Sequence, residues 1–165
     1  MKGINPFLWF DDQAEDAAKR YVSIFLSLGS SDSQVTDVTR YGAAGAEAAG
    51  RPEGSVMTVA FRLDGQDFVA LNGGPQFQFT EAISLMVNCE IQEEVDQLWE
   101  RLSEGGEQGP CGWLKDRYGL SWQIVPTALG QMLQDEDPKR AERVMAAMLQ
   151  MKKIDIHTLQ QAYEQ

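Results

Sequence analysis

Few side chains in this chain are of the types that do chemistry, and their spacing does not group them. The single histidine, His157, stands near the end of the 165-residue sequence. Cys89 and Cys111 form no Cys-x-x-Cys pair, and both are remote in sequence from His157, the base that a thiol nucleophile would need. They read as small buried hydrophobes and as free thiols of a reducing, cytoplasmic setting, with a disulfide between them as the lesser alternative. The acid pairs Asp11-Asp12 and Glu93-Glu94 sit at helix starts, where the macrodipole favours them without any catalytic role. Met145, Met148 and Met151 read as packing rather than as an adaptable binding surface. The stretch from Gly42 to Gly54 is rich in Gly and Ala and reads as a mobile loop. It lacks the Lys-Ser/Thr ending of a phosphate loop, and no strong helix is expected after it.

Composition narrows the partners. The formal charge is −11, with no Lys/Arg cluster interleaved with aromatics, so neither nucleic acid nor an anionic membrane finds a basic footprint. There is no apolar run of transmembrane length. Met1-Lys2-Gly3-Ile4-Asn5-Pro6 leads straight into a strand pattern, so no signal peptide is expected.

The elements that must position any site recur twice. Ile4 to Phe10 predicts a strand. Asp12, with Glu15 in capping-box position, predicts a helix whose face is Ala14, Ala17, Ala18, Tyr21, Val22 and Phe25. Gln34 to Arg40 reads as a strand. Ser55 to Leu63 and Asp67 to Leu71 read as a hairpin about Asp64-Gly65. Asn72-Gly73-Gly74-Pro75 turns again, and Phe77 and Phe79 follow in a short extended piece. Then Ala82 to Val87 predicts a strand, and Glu90 to Leu102 a helix with Val95, Leu98, Trp99 and Leu102 on one face. Gly105-Gly106 ends it. Cys111 to Pro126 reads as a second hairpin, with Asp116 and Gly119 at the ends of a type I turn. The two hairpins overlay with Phe61-Arg62-Leu63-Asp64 on Trp113-Leu114-Lys115-Asp116, and Phe68-Val69-Ala70-Leu71 on Trp122-Gln123-Ile124-Val125. Beyond Pro126 the chain turns helical. Asp137 caps a helix with Pro138 first and a stripe of Ala141, Val144, Met145, Met148 and Leu149; Lys152 and Lys153 suit its end, and Asp155 starts a last helix with Leu159 and Ala162. The expected class is α+β: two βαβββ modules, residues 1–80 and 81–126, and a C-terminal helical extension, 127–165, in one structural domain.

Two such modules with a closing Asp-x-x-Gly-x-x-Trp strand resemble the vicinal oxygen chelate superfamily of glyoxalase, bleomycin-resistance and extradiol dioxygenase proteins. Within it the chain is similar to the PhnB-like branch, often labelled 3-demethylubiquinone-9 3-methyltransferase. The likeness is carried by Pro6-Phe7-Leu8-Trp9-Phe10, Ala14 to Tyr21, Ala70 to Pro75, Ile83 to Cys89, Gly112 to Asp116, Ser121 to Pro126 and the tail Met148 to Ile156. It implies a divalent metal held by four His/Glu-type ligands, two from each half. The corresponding positions here are Pro6 or Phe7, Ala70, Ala82 or Ile83, and Gln123, which is a poor donor set. No metal site, no cofactor and no assigned catalytic residue are therefore expected. The methyltransferase label finds no Gly-rich cofactor loop after a strand.

What remains is a concave sheet. Strand alternation groups Phe7 with Trp9, Ala70 with Asn72, Ser84 with Met86 and Asn88, and Ser121 with Gln123, with Trp113 at the edge. The opposite sets, among them Val69 and Leu71, would pack under the helices. Phe7, Trp9, Asn72, Ser84, Met86, Trp113 and Gln123 are the candidate ligand residues for a small, partly apolar, hydrogen-bonding molecule. Filling of a closed barrel, or a dimer seam, is the alternative for the same residues. The resemblance further implies a homodimer. An atypical metal-dependent lyase, isomerase or dioxygenase is the rival reading, and an interaction module docking through its helical tail is a third.

Overall fold

The computed structural model describes residues 3–165. The chain divides into two compact units, with the boundary between Phe79 and Thr80.

In the first unit β1 (Phe7–Phe10) leads to α1 (Ala14–Ser27), β2 (Gln34–Arg40), α2 (Ala43–Ala49), β3 (Val56–Leu63) and β4 (Gln66–Asn72). The sheet runs in the order β1-β4-β3-β2. β1 lies parallel to β4, and the other pairs are antiparallel. Leu63 faces Gln66 across a two-residue turn. Asp64 and Gly65 both take positive φ there, 46° and 83°, the geometry an Asp-Gly hairpin turn requires. The predicted apolar face of α1 is buried on β3 and β4, with Tyr21 beside Phe61, and Leu8, Phe10, Val59, Phe68 and Ala70 are buried on the sheet. Phe61 stacks on Phe68 at 5.2 Å.

The second unit repeats the scheme. β5 (Ser84–Cys89) is followed by α3 (Gln92–Ser103), β6 (Glu107–Gln108), β7 (Trp113–Lys115) and β8 (Ser121–Pro126). The order is β5-β8-β7-β6, again with the first strand parallel to the last. Val95, Leu98, Trp99 and Leu102 of α3 are buried, as are Leu114, Leu120, Trp122 and Ile124 of the hairpin. Three helices close the chain: α4 (Thr127–Leu133), α5 (Pro138–Met148) and α6 (Ile156–Glu164). They share a small core of Leu129, Met132, Val144, Ile154 and Leu159, against which Val125 of β8 packs.

Several local expectations are corrected. Gly42 to Gly54 is not a loop throughout, because its Ala-rich centre folds as α2 between Gly42 and a left-handed Gly50. Alanine is the best helix former and glycine the usual C-terminal stop. Helix α1 begins at Ala14 with Gln13 as its unassisted cap, so Asp12 and Glu15 form no capping box. The Ala14 N–H is met instead by Asn72 Oδ1 at 2.8 Å. The fifth strand begins at Ser84, leaving Ala82 and Ile83 outside it. On α5, Val144 is buried while Met145 and Leu149 stay exposed. Lys153 ends no helix dipole. It bridges to Asp96 of α3 at 2.6 Å. The Asp137 and Asp155 caps form as read, each accepting a backbone N–H.

Candidate functional site

Pairing decides which side chains share a face, since residues directly opposite in a ladder point the same way. In the first unit Phe7 pairs with Val69 and Trp9 with Leu71. Ala60 and Thr58 continue that face on β3. Leu8, Phe10, Ala70 and Asn72 lie on the other side, under α1. This reverses the expected phase of β4. Ala70 and Asn72 are helix-facing and buried, and Val69 and Leu71 join Phe7 and Trp9 on the open face. The cause is local: Phe68-Val69-Ala70-Leu71 is apolar at every position, so alternation alone could not tell in from out.

Asn72 consequently leaves the candidate ligand set. Its Oδ1 caps α1, and its Nδ2 donates to the Val56 carbonyl at 3.1 Å. Its own carbonyl accepts from the Tyr41 hydroxyl at 2.7 Å. Both ends of the amide serve the fold.

Trp9 is held rather than free. Its indole N–H donates to the Gly74 carbonyl at 2.9 Å, and Phe77 meets the ring edge-on at 4.9 Å. A Cβ on Gly73 would fall inside the indole. The Asn-Gly-Gly turn thus makes room for the Trp9 ring. Phe7 beside it is 59% exposed.

The second unit gathers the other candidates on one face. Ser84 pairs with Ser121 and Met86 with Gln123 on β5 and β8. Gln123 in turn faces Trp113, and Ser121 faces Lys115, on β7. Gln123 Nε2 donates to Ser84 Oγ at 2.8 Å. Met86 is 56% exposed, and Asn88 next to it on the face is exposed too. The rim carries an ion pair between Lys115 and Glu81. Glu81, and behind it Glu107, hold the Lys115 ammonium above its ordinary pKa. A cleft of about 460 Å3 opens here, walled by Pro110, Trp113, Leu114 and Ser121, with Glu81, Glu107 and Lys115 at its polar side. That volume falls among small-molecule sites, which run from about 300 to 1,000 Å3.

The overlay of the two hairpins also shifts by one residue. Phe61 pairs with Phe68 and Leu114 with Trp122, so Leu114, not Trp113, is the counterpart of Phe61. Trp113 then corresponds to Ala60, and Lys115 to Arg62. The first turn has two residues and the second five, and that difference hid the offset.

The open-face positions of the four paired strands are Phe7, Trp9, Val69, Leu71, Ser84, Met86, Ser121 and Gln123. They offer hydrocarbon, indole, thioether, hydroxyl and amide but no imidazole, and the carboxylates that share these faces, Asp67 in the first unit and Glu107 in the second, stand singly beside Arg62 and Lys115. Among the described residues no three His, Cys, Asp or Glu side chains come together as a cation site. The donor set does not fit a divalent metal of the usual kind. Thiol chemistry is equally unsupported. Cys89 is buried, and burial, helped by Glu94, pushes its pKa up to about 12. Both cysteines are free.

Two βαβββ units with the same strand order, each with an open sheet face, define the class: an α+β protein of the glyoxalase and bleomycin-resistance fold. The chain belongs to the family described as 3-demethylubiquinone-9 3-methyltransferase, whose model matches residues 2–125. A Bacillus cereus PhnB protein carrying that family description is 33% identical; the match covers 76% of this chain and all of that one, with a TM-score of 0.63. A Pseudomonas aeruginosa protein is similar in fold, at 17% identity, coverage of 76% and 98%, and a TM-score of 0.59. So is a mutant of the fosfomycin resistance protein FosX of Listeria monocytogenes, in complex with Mn(II) and 1S,2S-dihydroxypropylphosphonic acid. It shows 15% identity, coverage of 81% and 99%, and a TM-score of 0.55. No curated protein matches the chain.

Proposed function

We propose that this chain binds a small, partly apolar, hydrogen-bonding molecule on the open face of its second unit, and does so without a metal ion. The observation that carries the reading is the convergence of Ser84, Met86, Trp113 and Gln123 on one sheet face that runs into a cleft of about 460 Å3: Trp113 lines the cleft, and Ser84 and Gln123 are the ladder neighbours of its Ser121 and Trp113. Aromatic and thioether surface with a few fixed polar groups is the usual lining of such sites. Phe7 and Trp9 give the first unit an aromatic surface of its own. Methyl transfer is not proposed. Gly73 and Gly74 serve the Trp9 indole, and Gly42 and Gly50 bound a seven-residue helix, so neither pair forms a nucleotide-binding turn between a parallel strand and its helix. A homodimer and a cytoplasmic location belong to the same reading.

The test is a thermal-shift screen of uncharged and charged metabolites on the intact protein. A ligand at a hundred times its Kd adds about 2.7 kcal/mol, which raises Tm by several degrees for a domain of this size. Trp113→Ala and Gln123→Ala are expected to weaken any hit at least about tenfold, which corresponds to about 1.4 kcal/mol. Hits that bind both variants as tightly as the parent would place the site elsewhere and end this reading.

A further inference from the structure

The cleft beside Trp113 also bears on what it takes. Most polar groups around it already have partners. Gln123 and Ser84 bond each other. Lys115 is paired with Glu81, and Glu107 adds a second carboxylate near the same ammonium. Ser121 is the exception. It lines the cleft, it is 1% exposed, and its Oγ has no hydrogen-bond partner among the described residues. Its ladder neighbours on the same face are Ser84 on one side and Lys115 on the other, and neither reaches it with a hydrogen bond. A buried hydroxyl without a partner is a cost in the ligand-free protein. A hydroxyl both donates and accepts, so it can be satisfied by a carbonyl, a hydroxyl or an amide.

Resting on the binding reading above, we infer that this cleft takes an uncharged, flat molecule that offers one oxygen or nitrogen to the Ser121 hydroxyl. Flatness follows from the walls: the Trp113 indole and the Pro110 ring supply apolar ring surface in the lining, on which a flat ring stacks. Neutrality follows from the rim. The one ammonium is already matched by Glu81, and with Glu107 the rim carries a surplus negative charge that repels an anion. A cation would gain only an exposed, screened attraction there and would lose water on entering an apolar cleft.

The experiment titrates three probes of one shape, benzamide, benzoate and benzylamine, into the full chain by ligand-observed NMR. Parent, Ser121→Ala and Trp113→Ala proteins are compared. Benzamide is expected to bind the parent at least about fivefold more tightly than either charged probe. It should lose about fivefold or more in Ser121→Ala, with no fall in Tm, because that variant removes no native hydrogen bond. Either charged probe binding as tightly as benzamide, or an unchanged benzamide affinity in Ser121→Ala, overturns the inference. If none of the three binds while a screening hit still depends on Trp113, the ligand class is wrong and the binding face stands. If the hits are also indifferent to Trp113, the binding face falls with it.

Discussion

Asp116 closes the second hairpin from inside. It is buried, and its carboxylate accepts the Tyr118 and Leu120 backbone N–H groups at 2.9 and 3.1 Å and the Trp122 indole N–H at 2.9 Å. Asp116→Ala strands these donors in the core and should cost about 3 kcal/mol, read as a lower midpoint in urea unfolding at unchanged slope. A loss under about 1 kcal/mol would show that water replaces the carboxylate. The backbone half of this role was legible in Asp-x-x-Gly, because Asp at the first turn position bonds ahead along the chain. The indole half was not, since it depends on Trp122 folding back beneath the turn. Gly73 has a comparable local role in the first unit. Gly73→Ala should cost about 1–3 kcal/mol through overpacking and shift the Trp9 indole N–H resonance, whereas an unmoved resonance would mean that the ring does not rest on Gly73. Asn72 shows the limit of reading residues singly. An amide beside two glycines looks like a ligand group until the pairing of β1 with β4 turns it toward the Ala14 N–H.

Elements with a strict alternation were legible, and elements without one were not. β8 reads Ser-Trp-Gln-Ile-Val-Pro, so its faces were assigned correctly from the sequence; β4 is apolar at four successive positions, Phe68 to Leu71, and its phase came only with its partner strand. α2 was hidden because Gly and Ala suggest looseness, although alanines bracketed by glycines make a short capped helix. The two-residue β6 carries no periodic signal at all. The C-terminal extension, which lies beyond the matched family region, is tied to the rest of unit two at several points. Cys111 and Gly112 donate their N–H groups to the Met151 and Lys152 carbonyls. Gln92 holds the Ile154 carbonyl and the Ile156 N–H, and Lys153 pairs with Asp96. The Lys153 ammonium, and after it the Gln92 amide, hold the Asp96 carboxyl below its ordinary 3.8. A carboxyl depressed by folding lends stability above its unfolded pKa and loses it as pH falls through the folded value. The extension should therefore be tight above about pH 4 and loosen below it. Asp96→Asn should flatten that acid-side fall, followed by circular dichroism, while costing less than about 1 kcal/mol at neutral pH because the pair is exposed. An acid limb identical in the variant would assign the loosening to other carboxylates.

At the scale of the whole molecule, the repeat is the most informative fact. Strand order β1-β4-β3-β2 and β5-β8-β7-β6 is one topology used twice, and its order of elements was readable because helix and strand periods alternate in the same sequence in both halves. The two copies have diverged in what they present. The first offers Phe7 and Trp9, and the second Ser84, Met86, Trp113 and Gln123 with the cleft at Ser121. Neither open face carries an imidazole, and the carboxylates there, Asp67 in the first unit and Glu81 and Glu107 in the second, face Arg62 and Lys115 and form no cluster of three among the described residues; His157 lies on α6 beside Gln161. On the proposed reading, this family member is expected to bind its ligand with protein groups alone. The most direct test is the metal content of untagged, freshly purified protein by plasma mass spectrometry, before and after incubation with zinc, iron, manganese and nickel followed by desalting. Far less than one ion per chain is expected in every case. One tightly retained ion per chain would contradict this reading and move a metal-dependent lyase, isomerase or dioxygenase ahead.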